Sequence, residues 1–471
     1  MKKTKIICSI GPASYDKDVM REMIKSGMNV ARCNFSHATP EEKKMVEEDV
    51  RYFNEEEGCN IGLLFDTKGP DLRTTDFEGD YITLNSGDEI LISKENKLGT
   101  EKEIGFNHPE VIDNINEGDN ILIDDGLLRL VVEKKDSKGL TCKILAGGTI
   151  KSRRGVNVPG VNLGMPFINE ADRIDIKYAC EHKGDFLAAS FVSTPQDVKD
   201  LRKLLKEFGR PEMKIISKIE TQTGIENIDE IIDLSDGIMV ARGDLGVEVP
   251  MEKLPTYQKM IIKKCREKCK ICVVATEMLA SMYTAARPTR AEVSDIANAV
   301  LDGCDAIMLS GETTMGAYPI EAVKYMSRIA SEAENQYDYS HKFNYDDEND
   351  VTEAIGRAVI DASNSLNAKA IVAATISGYT ASRISNLKPK SVIVAPCVSK
   401  DVAHGLALNY GVYPVLDKKF DTMDEVIDSA VDSTKNMLGL TKGDILVITG
   451  GFPSIKNVKT TNFMKVEVID K

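Results

Sequence analysis

The chain has 471 residues, of which 42% are hydrophobic and 28% are charged, and its formal net charge is −14. This length predicts two or three domains, because single hydrophobic cores rarely grow beyond about 250–300 residues. The acidic balance argues against a nucleic-acid partner, which needs a basic face, and no apolar run reaches the roughly 20 residues of a membrane-spanning helix.

The start of the chain alternates strand-like and helix-like segments. Short apolar runs predict strands at residues 4–10, 29–34 and 61–65, and helices are predicted at 16–26 and 40–57. Such alternation predicts a parallel sheet.

The alternation stops at about residue 71. From there to about residue 165, short alternating strands and turn signals such as Asn85-Ser86-Gly87-Asp88 predict a small, mostly β domain, a β-barrel inserted into the first domain. The insert is flanked by Lys68-Gly69-Pro70 and by the segment from Val158-Pro159-Gly160 to Met165-Pro166, and glycine and proline at both ends fit hinges.

Five further strands follow the insert. They are predicted at residues 186–189, 213–217, 237–241, 271–275 and 306–309, with helices at 169–181, 194–207, 223–234, 254–268, 289–301 and 320–334. Three strands before the insert and five after it predict a (β/α)8 TIM barrel, formed by residues 1–70 and 166–340.

The last part of the chain, residues 341–471, has its own α/β alternation. A polar stretch at 334–350 predicts a linker; helices are predicted at 351–366, 380–387, 402–408 and 423–438, and strands at 370–374, 391–395, 412–415, 444–449 and 463–469. We expect a C-terminal α/β regulatory domain with a separate sheet.

Polar residues stand where several barrel strands end. Lys218 and Glu220 follow one apolar run and Asp244 follows the next. Carboxylates at one sheet edge can hold a hard divalent cation such as Mg²⁺, and a lysine beside them can bind a phosphoryl group. The pattern indicates phosphoryl transfer, and the barrel brings the other polar strand ends to the same rim.

The ten cysteines are scattered, and the N-terminal residues lack the apolar core of a secretory signal. We therefore expect reduced thiols and a cytoplasmic enzyme. Cys265, Cys269 and Cys272 form the one cluster, for which a metal site is the alternative. Their division between a basic helical stretch and an apolar strand favours buried structural thiols.

Several longer motifs carry a family resemblance. They are Gly11-Pro12-Ala13-Ser14, Asn29-Val30-Ala31-Arg32-Cys33-Asn34-Phe35-Ser36-His37, Asp66-Thr67-Lys68-Gly69-Pro70, Ser217-Lys218-Ile219-Glu220, Met239-Val240-Ala241-Arg242-Gly243-Asp244-Leu245-Gly246, Arg287-Pro288-Thr289-Arg290-Ala291-Glu292 and Met308-Leu309-Ser310-Gly311-Glu312-Thr313. In their order and spacing the chain resembles the pyruvate kinases over its whole length, in the bacterial form without the extra C-terminal phosphohistidine-like domain. The resemblance implies phosphoryl transfer from phosphoenolpyruvate to ADP, which gives pyruvate and ATP in the last step of glycolysis.

The resemblance also implies roles for the matched residues. Glu220 and Asp244 would hold Mg²⁺ or Mn²⁺, Lys218 would stabilise the phosphoryl and enolate oxygens, and the N–H groups of Gly243 and Asp244 would hold the substrate carboxylate. Arg32 would bind phosphate oxygens. Thr276 would help to deliver a proton to the enolate carbon through water, and the proton donor itself stays open.

A nucleotide site and a K⁺ site are implied beside these residues. The nucleotide set is Asn34, His37 and Arg73, where His37 as a structural hydrogen-bonder is an equal alternative. The K⁺ set is Asn34, Ser36, Asp66 and the Thr67 carbonyl.

Two residues depart from the family pattern. Members that need K⁺ usually carry glutamate at the position of Asp71, so the strength of K⁺ dependence is open; Glu277 stands where glutamine is commoner. The insert would be a lid that excludes water.

The C-terminal domain carries the loop from Thr375 to Thr380 between a strand and a helix. Its hydroxyls and glycine suit a phosphate cradle or an ordinary helix cap. The resemblance favours a sugar-phosphate effector site on Thr375, Ser377, Gly378 and Thr380. The partner loop at 450–456 lacks tryptophan and arginine, which leaves a monophosphate as plausible as fructose bisphosphate. A homotetramer is implied by the resemblance alone.

Two other function classes compete with the kinase. One is a metal-dependent barrel lyase or aldolase acting on a pyruvate enolate; Lys218, the K⁺ set and the insert argue against it. The other is a regulatory relative that binds metabolite without turnover, but Lys218 and both metal carboxylates are retained.

Overall fold

The computed structural model describes residues 1–95, 97–339, 350–418, 422–451 and 460–470. The chain begins with three barrel strands and two helices: β1 (Lys5–Ser9), α1 (Lys17–Ser26), β2 (Val30–Asn34), α2 (Pro40–Glu55) and β3 (Gly62–Asp66). All five residues of β1 and of β3 are buried, as expected for strands covered on both faces. Asp16 caps α1, and Thr39 forms a capping box with Glu42 at the start of α2.

The insert, defined here as residues 71–165, consists of β-strands. They are β4 (Tyr81–Leu84), β5 (Glu89–Ser93), β6 (Glu103–Gly105), β7 (Asn120–Ile123), β8 (Leu128–Asp136), β9 (Gly139–Ala146), β10 (Gly148–Lys151) and β11 (Val156–Asn157). They form a six-stranded sheet in the order β11-β7-β8-β9-β5-β6 and a two-stranded sheet of β10 and β4. Leu130, Ile92 and Phe106 lie in its hydrophobic core.

The second part of the barrel follows. Its strands are β12 (Phe186–Ala189), β13 (Lys214–Ile219), β14 (Gly237–Ala241), β15 (Ile271–Ala275) and β16 (Ala306–Leu309), and its helices are α3 (Glu170–Glu181), α4 (Pro195–Glu207), α5 (Gln222–Glu226), α6 (Ile228–Leu234), α7 (Arg242–Glu248), α8 (Leu254–Glu267), α9 (Arg290–Asp302), α10 (Gly311–Thr314) and α11 (Pro319–Asn335). The eight parallel strands close in the order β1-β16-β15-β14-β13-β12-β3-β2. The predicted (β/α)8 barrel is confirmed.

One predicted helix differs from the structure. The segment predicted as a helix over 223–234 is divided at Asn227 into α5 and α6. The Asn227 side chain donates a hydrogen bond to the carbonyl of Ser193 at 2.9 Å. An asparagine that bonds outside the helix offers the backbone a local stop, which periodicity alone does not reveal.

The C-terminal part contains a five-stranded sheet. Its elements are α12 (Val351–Ser365), β17 (Ala370–Ala373), α13 (Tyr379–Asn386), β18 (Val392–Cys397), α14 (Lys400–Gly405), β19 (Val412–Leu416), α15 (Met423–Leu438), β20 (Ile445–Gly450) and β21 (Phe463–Val468). The strand order is β19-β18-β17-β20-β21, with only β21 antiparallel to its neighbour. The predicted C-terminal α/β domain is confirmed. Most of the predicted linker, residues 340–349, lies outside the described residues.

Buried apolar residues form one layer inside the barrel and another around it. Ile7, Leu64, Val273 and Met308 belong to the interior layer, and a larger cluster lies between the strands and the surrounding helices. Across the described ranges we find no helix that is long and apolar enough to cross a membrane.

Candidate active site

Lys218 stands at the centre of the carboxyl-terminal rim of the barrel. It lies within β13, which runs two residues further than predicted. Its ammonium group contacts three side chains: Ser190 Oγ at 2.6 Å, Glu220 Oε1 at 3.0 Å and Asp66 Oδ1 at 3.3 Å. A buried cation held by two carboxylates is fixed in position before any ligand arrives.

Arg32 extends this network from β2, the strand next to β3, which ends at Asp66. Its Nε donates to Asp66 Oδ2 at 2.6 Å, and its Nη1 donates to Ser9 Oγ at 2.6 Å. Asp66 therefore binds both Arg32 and Lys218 while being fully buried. The predicted proximity of these three residues is present in the structure.

The charges of the network shift its ionisation. Burial would raise the pKa of Asp66, but Arg32 and Lys218 outweigh burial and hold that pKa below its usual value. For Lys218, burial acts to lower the pKa, and Asp66 and Glu220 together raise it above its usual range. Lys218 is therefore a permanent cation and cannot act as a general base near neutral pH.

Glu220 behaves differently from Asp66. Burial raises the pKa of Glu220 to about 7, Lys218 opposes the shift, and the charge of Asp244 adds to it. Glu220 Oε2 also accepts the backbone N–H of Phe191 at 2.6 Å. Glu220 and Asp244 thus repel each other electrostatically at the rim, an arrangement that a bound cation would relieve.

Gly243 and Asp244 lie in the first turn of α7, a short helix that is not among the predicted ones. The N–H of Gly243 donates to Thr276 Oγ1 at 2.8 Å, so the hydroxyl of Thr276 reaches the start of α7. Thr276 Oγ1 in turn donates to the carbonyl of Ala275 at 2.6 Å. Gly243, Asp244 and Thr276, three of the five residues predicted to bind substrate, therefore lie at the start of this helix.

The chain turns sharply at Thr276 and Glu277, which both have left-handed backbone conformations, with φ of 70° and 54°. Arg242 holds this corner: its Nη2 donates to the Thr276 carbonyl at 2.7 Å and its Nη1 to Asp295 at 2.7 Å. Non-glycine residues in this region cost of order 1–3 kcal/mol each and persist where neighbours fix them.

The proposed K⁺ and nucleotide residues lie beside the network. Asn34 and Asp66 are direct neighbours in the register of β2 and β3. The side chain of Asn34 accepts the N–H of Ser36 at 3.1 Å, and the Thr67 carbonyl accepts the hydroxyl of Ser190 at 2.8 Å. The oxygen donors of the set therefore stand at the ends of two adjacent strands, and Asn34 and Thr67 already accept local hydrogen bonds.

His37 and Arg73 are near one another. Partial burial, followed by the charges of Arg73 and Arg32, lowers the pKa of His37. Arg73, near the start of the insert, is held by contacts within the insert. Its Nε is paired with Asp71 at 2.5 Å, and its Nη1 donates to the Arg153 carbonyl at 3.0 Å.

A cleft of about 420 Å³ lies between the insert and the barrel. Residues of the insert, including Asp125 and Asn157, and residues of the barrel, including Asp244 and Glu248, line it. Burial raises the pKa of Asp125, and the charge of Asp244 adds to that shift. The insert therefore presents an acidic residue toward the same rim that carries Lys218.

Ser190 is the main residue that sequence reasoning missed. It immediately follows β12, and its hydroxyl accepts from Lys218, donates to the Thr67 carbonyl and lies 3.4 Å from Asp66 Oδ1. Its position directly after the fourth barrel strand, where barrel sites form, is the sequence signal that identifies it.

Two family models match the chain. One, described as "Pyruvate kinase, barrel domain", matches residues 1–323, and the other, "Pyruvate kinase, alpha/beta domain", matches residues 353–467. The chain belongs to the pyruvate kinase family.

Similar proteins agree with this assignment. A pyruvate kinase of Staphylococcus haemolyticus is 44% identical over 100% of this chain and 81% of its own length, and one of Clostridium acetobutylicum is 41% identical over the full length of both. The crystal structure of a pyruvate kinase from Cryptosporidium parvum superposes with a TM-score of 0.93 at 37% identity, covering 99% of this chain and 96% of that one.

The enzyme is therefore a phosphotransferase of glycolysis that uses phosphoenolpyruvate and ADP. The comparisons give no support to a barrel lyase. Pyruvate kinases depend on metal.

The candidate effector loop lies far along the chain from this rim, before α13. Gly378 precedes α13 with a left-handed φ of 83°, and no side chain caps that helix. Thr380 is buried, and its hydroxyl accepts from Thr461 at 3.0 Å. Ser377 is exposed. The partner loop at residues 452–456 lies outside the described residues.

Cys265 and Cys272 are buried and Cys269 is half-buried, and all three are free thiols. A hydrogen bond with Cys265 and burial raise the pKa of Cys272 well above its usual value. No cluster of three or more His, Cys, Asp or Glu residues suited to a metal occurs among the residues that the structure describes.

Proposed function

We propose that the rim around Lys218, Glu220 and Asp244 is where the phosphoryl group passes from phosphoenolpyruvate to ADP. The observation that carries this proposal is the buried ammonium group of Lys218, held between Asp66 and Glu220. Phosphoryl transfer is catalysed mainly by positioning and by electrostatic stabilisation, for which a fixed cation is suited.

Glu220 and Asp244 would hold Mg²⁺ or Mn²⁺. The fit rests on their carboxylate oxygens, the donors that such ions prefer. It rests also on the charge of Asp244, which adds to the rise that burial causes in the pKa of Glu220. When bound, the cation would neutralise charge on phosphoryl oxygens.

The remaining residues would act on the substrate directly. Lys218 and Arg32 would place positive charge against the phosphoryl and enolate oxygens, which gain charge as the bond breaks. The first turn of α7, with the N–H groups of Gly243 and Asp244, would bind the carboxylate. Thr276 would orient the proton that reaches the enolate carbon.

A K⁺ site on Asn34, Ser36, Asp66 and the Thr67 carbonyl would add a further positive charge at this edge. The shared register of Asn34 and Asp66 supports it. We expect activity to rise when K⁺ replaces tetramethylammonium at equal ionic strength. Equal activity in the two salts would contradict the site.

Asn34, His37 and Arg73 would bind the nucleotide, and the insert would close over it as a lid that excludes water. The cleft between insert and barrel is the space into which ADP would fit.

Three broader features complete the proposal. The loop around Ser377 would bind a sugar phosphate, supported by its glycine at positive φ before a helix whose N–H groups no side chain caps. The enzyme would be cytoplasmic and homotetrameric.

A Ser377→Glu variant should lose any activation by sugar phosphates, whereas an unchanged response would contradict the assignment of the effector loop.

The central test is the Lys218→Met variant. Pyruvate and ATP formation from phosphoenolpyruvate, ADP and Mg²⁺ should fall by at least about 10³-fold, because a fixed cation at a transition state contributes several kcal/mol. Lys206→Met, an exposed lysine at the end of α4, is the matched control.

Thermal unfolding of both variants separates catalysis from folding. Lys218→Met leaves Asp66 and Glu220 with less counter-charge, so its Tm should also fall. If Lys218→Met folds and turns over at the wild-type rate, the proposed site is wrong.

A further inference from the structure

One direct hydrogen bond connects the insert to the barrel. Asn157 Nδ2, in β11, donates to Glu248 Oε1, at the end of α7, at 2.9 Å. Over the described residues of the insert, 71–95 and 97–165, we find no other hydrogen bond or ion pair that reaches the barrel. Apart from the two chain connections, this hydrogen bond is therefore the polar link between the described part of the insert and the barrel.

The contact acts on the helix that carries the site. Glu248 is the last residue of α7, and Gly243 and Asp244 lie in its first turn. Seven helical residues span only about 10 Å, so the two ends move together. Glu248 is half-buried, and burial raises its pKa, which the hydrogen bond from Asn157 opposes.

Asn157, the residue that the insert contributes to this contact, is linked to the cleft through β7. Asn157 is paired with Leu122 in β7, and β7 leads directly to Asp124 and Asp125 at the cleft. Asp125 feels the charge of Asp244, so that approach is repulsive until a cation is present. The amide of Asn157 is the uncharged partner that can hold the insert close despite this repulsion.

We propose that Asn157 and Glu248 form a latch that keeps the insert over the site during phosphoryl transfer. The inference rests on the proposed role of the insert as a lid. Asn157 and Glu248 are positioning residues, since they act through the insert and α7. With the latch open, water would attack the phosphorus of phosphoenolpyruvate, the bond to the enolate oxygen would break, and phosphate and pyruvate would form without ATP.

Three variants test the latch. Asn157→Asp sets two carboxylates against each other with nearly unchanged shape. Glu248→Gln keeps an oxygen acceptor for Asn157. The double variant restores a hydrogen bond of reversed direction, because the amide of Gln at 248 can donate to the carboxylate of Asp at 157. Asn120→Asp, exposed at the start of β7, carries the same charge change without the contact.

The readouts are the KM for ADP, kcat, and the ATP formed per phosphoenolpyruvate consumed, measured on the full-length enzyme with Mg²⁺ and K⁺. We expect Asn157→Asp to raise the KM for ADP roughly 10- to 100-fold, the range for losing a hydrogen bond to a charged group. It should also lower the ATP yield. Glu248→Gln and Asn120→Asp should stay within about 3-fold of wild type, and the double variant should regain most of the loss.

Two outcomes would overturn the latch: Asn157→Asp matching Asn120→Asp, or a double variant no better than Asn157→Asp. A merely structural role for Asn157 would lower the Tm without changing the ATP yield, and this too would overturn it. Failure of the site itself is distinguishable, because Lys218→Met would then retain activity whatever the latch variants do.

Discussion

A buried carboxylate far from the rim, that of Asp185, affects the stability of this enzyme. Asp185 precedes β12 at the opposite end of the barrel, where its Oδ2 accepts the N–H of Leu63 at 2.8 Å. Burial raises the pKa of Asp185 to about 7, although that hydrogen bond and the charges of Arg210 and Lys214 oppose the shift. The folded protein therefore holds a proton on Asp185 at a pH where the unfolded chain has released it.

The raised pKa of Asp185 makes the free energy of unfolding depend on pH in a definite direction. Between about pH 4 and pH 7 unfolding releases the proton, so the free energy of unfolding falls as pH rises and the loss is complete above pH 7. Asp185→Asn removes the titration and keeps an acceptor for Leu63. The free energy of unfolding of the variant, relative to that of wild type, should therefore rise by at most about 2–3 kcal/mol when the pH is changed from 5 to 8.

Urea unfolding of both proteins at the two pH values gives the difference directly. The comparison cancels groups distant from Asp185 that titrate alike in both proteins. A variant whose advantage is the same at pH 5 and pH 8 would contradict the raised pKa.

At the scale of elements, the end of β15, the turn at Thr276 and Glu277, and the start of α7 together carry a large share of the proposed chemistry. Arg242, the first residue of α7, donates to the carbonyls of Ala275 and Thr276, at 3.3 and 2.7 Å, and to Asp295 at 2.7 Å. A planar guanidinium can serve these three acceptors at once, whereas a lysine ammonium on a flexible stem cannot keep the same geometry.

We therefore expect Arg242→Lys to lower kcat by about 10- to 100-fold while the Tm falls little, because misplacing Thr276 by a fraction of an ångström affects the reaction more than the fold. Steady-state kinetics with phosphoenolpyruvate as the varied substrate tests this. Arg173→Lys, on the surface of α3, is the control. An unchanged kcat would show that Arg242 does not set the corner.

Most strands and the main polar residues of the site could be predicted from the sequence, and the contacts that hold the site could not. The runs at 186–189, 237–241, 271–275 and 306–309 match observed strands, because burial on both faces leaves a continuous apolar signal. The polar ends of two apolar runs located Lys218, Glu220 and Asp244. The left-handed conformations of Thr276 and Glu277 and the contact of Asn157 with Glu248 depend on three-dimensional packing, which no local pattern encodes.

At the scale of the whole molecule, the barrel and the C-terminal sheet are joined by a buried ion pair. Lys388, two residues after α13, places its ammonium 2.5 Å from Asp305 Oδ1, 3.2 Å from the Cys304 carbonyl and 4.3 Å from the ring centre of Tyr410. The side chains of Lys388 and Asp305 are 1% and 4% exposed. Asp305 Oδ2 also accepts the N–H of Cys272, at 2.9 Å, which ties the pair to β15.

Removing one partner of such a pair leaves an uncompensated charge in the interior. We expect Lys388→Met to cost about 3–5 kcal/mol, whereas Lys369→Met, whose exposed lysine pairs with Asp444 at 3.9 Å, should cost at most about 1 kcal/mol. Adding Asp305→Asn to Lys388→Met removes the stranded charge and keeps the acceptor for Cys272. The double variant should therefore unfold at a higher temperature than Lys388→Met alone. If it unfolds at a lower temperature, the loss in Lys388→Met comes from packing of the lysine stem rather than from the unpaired carboxylate.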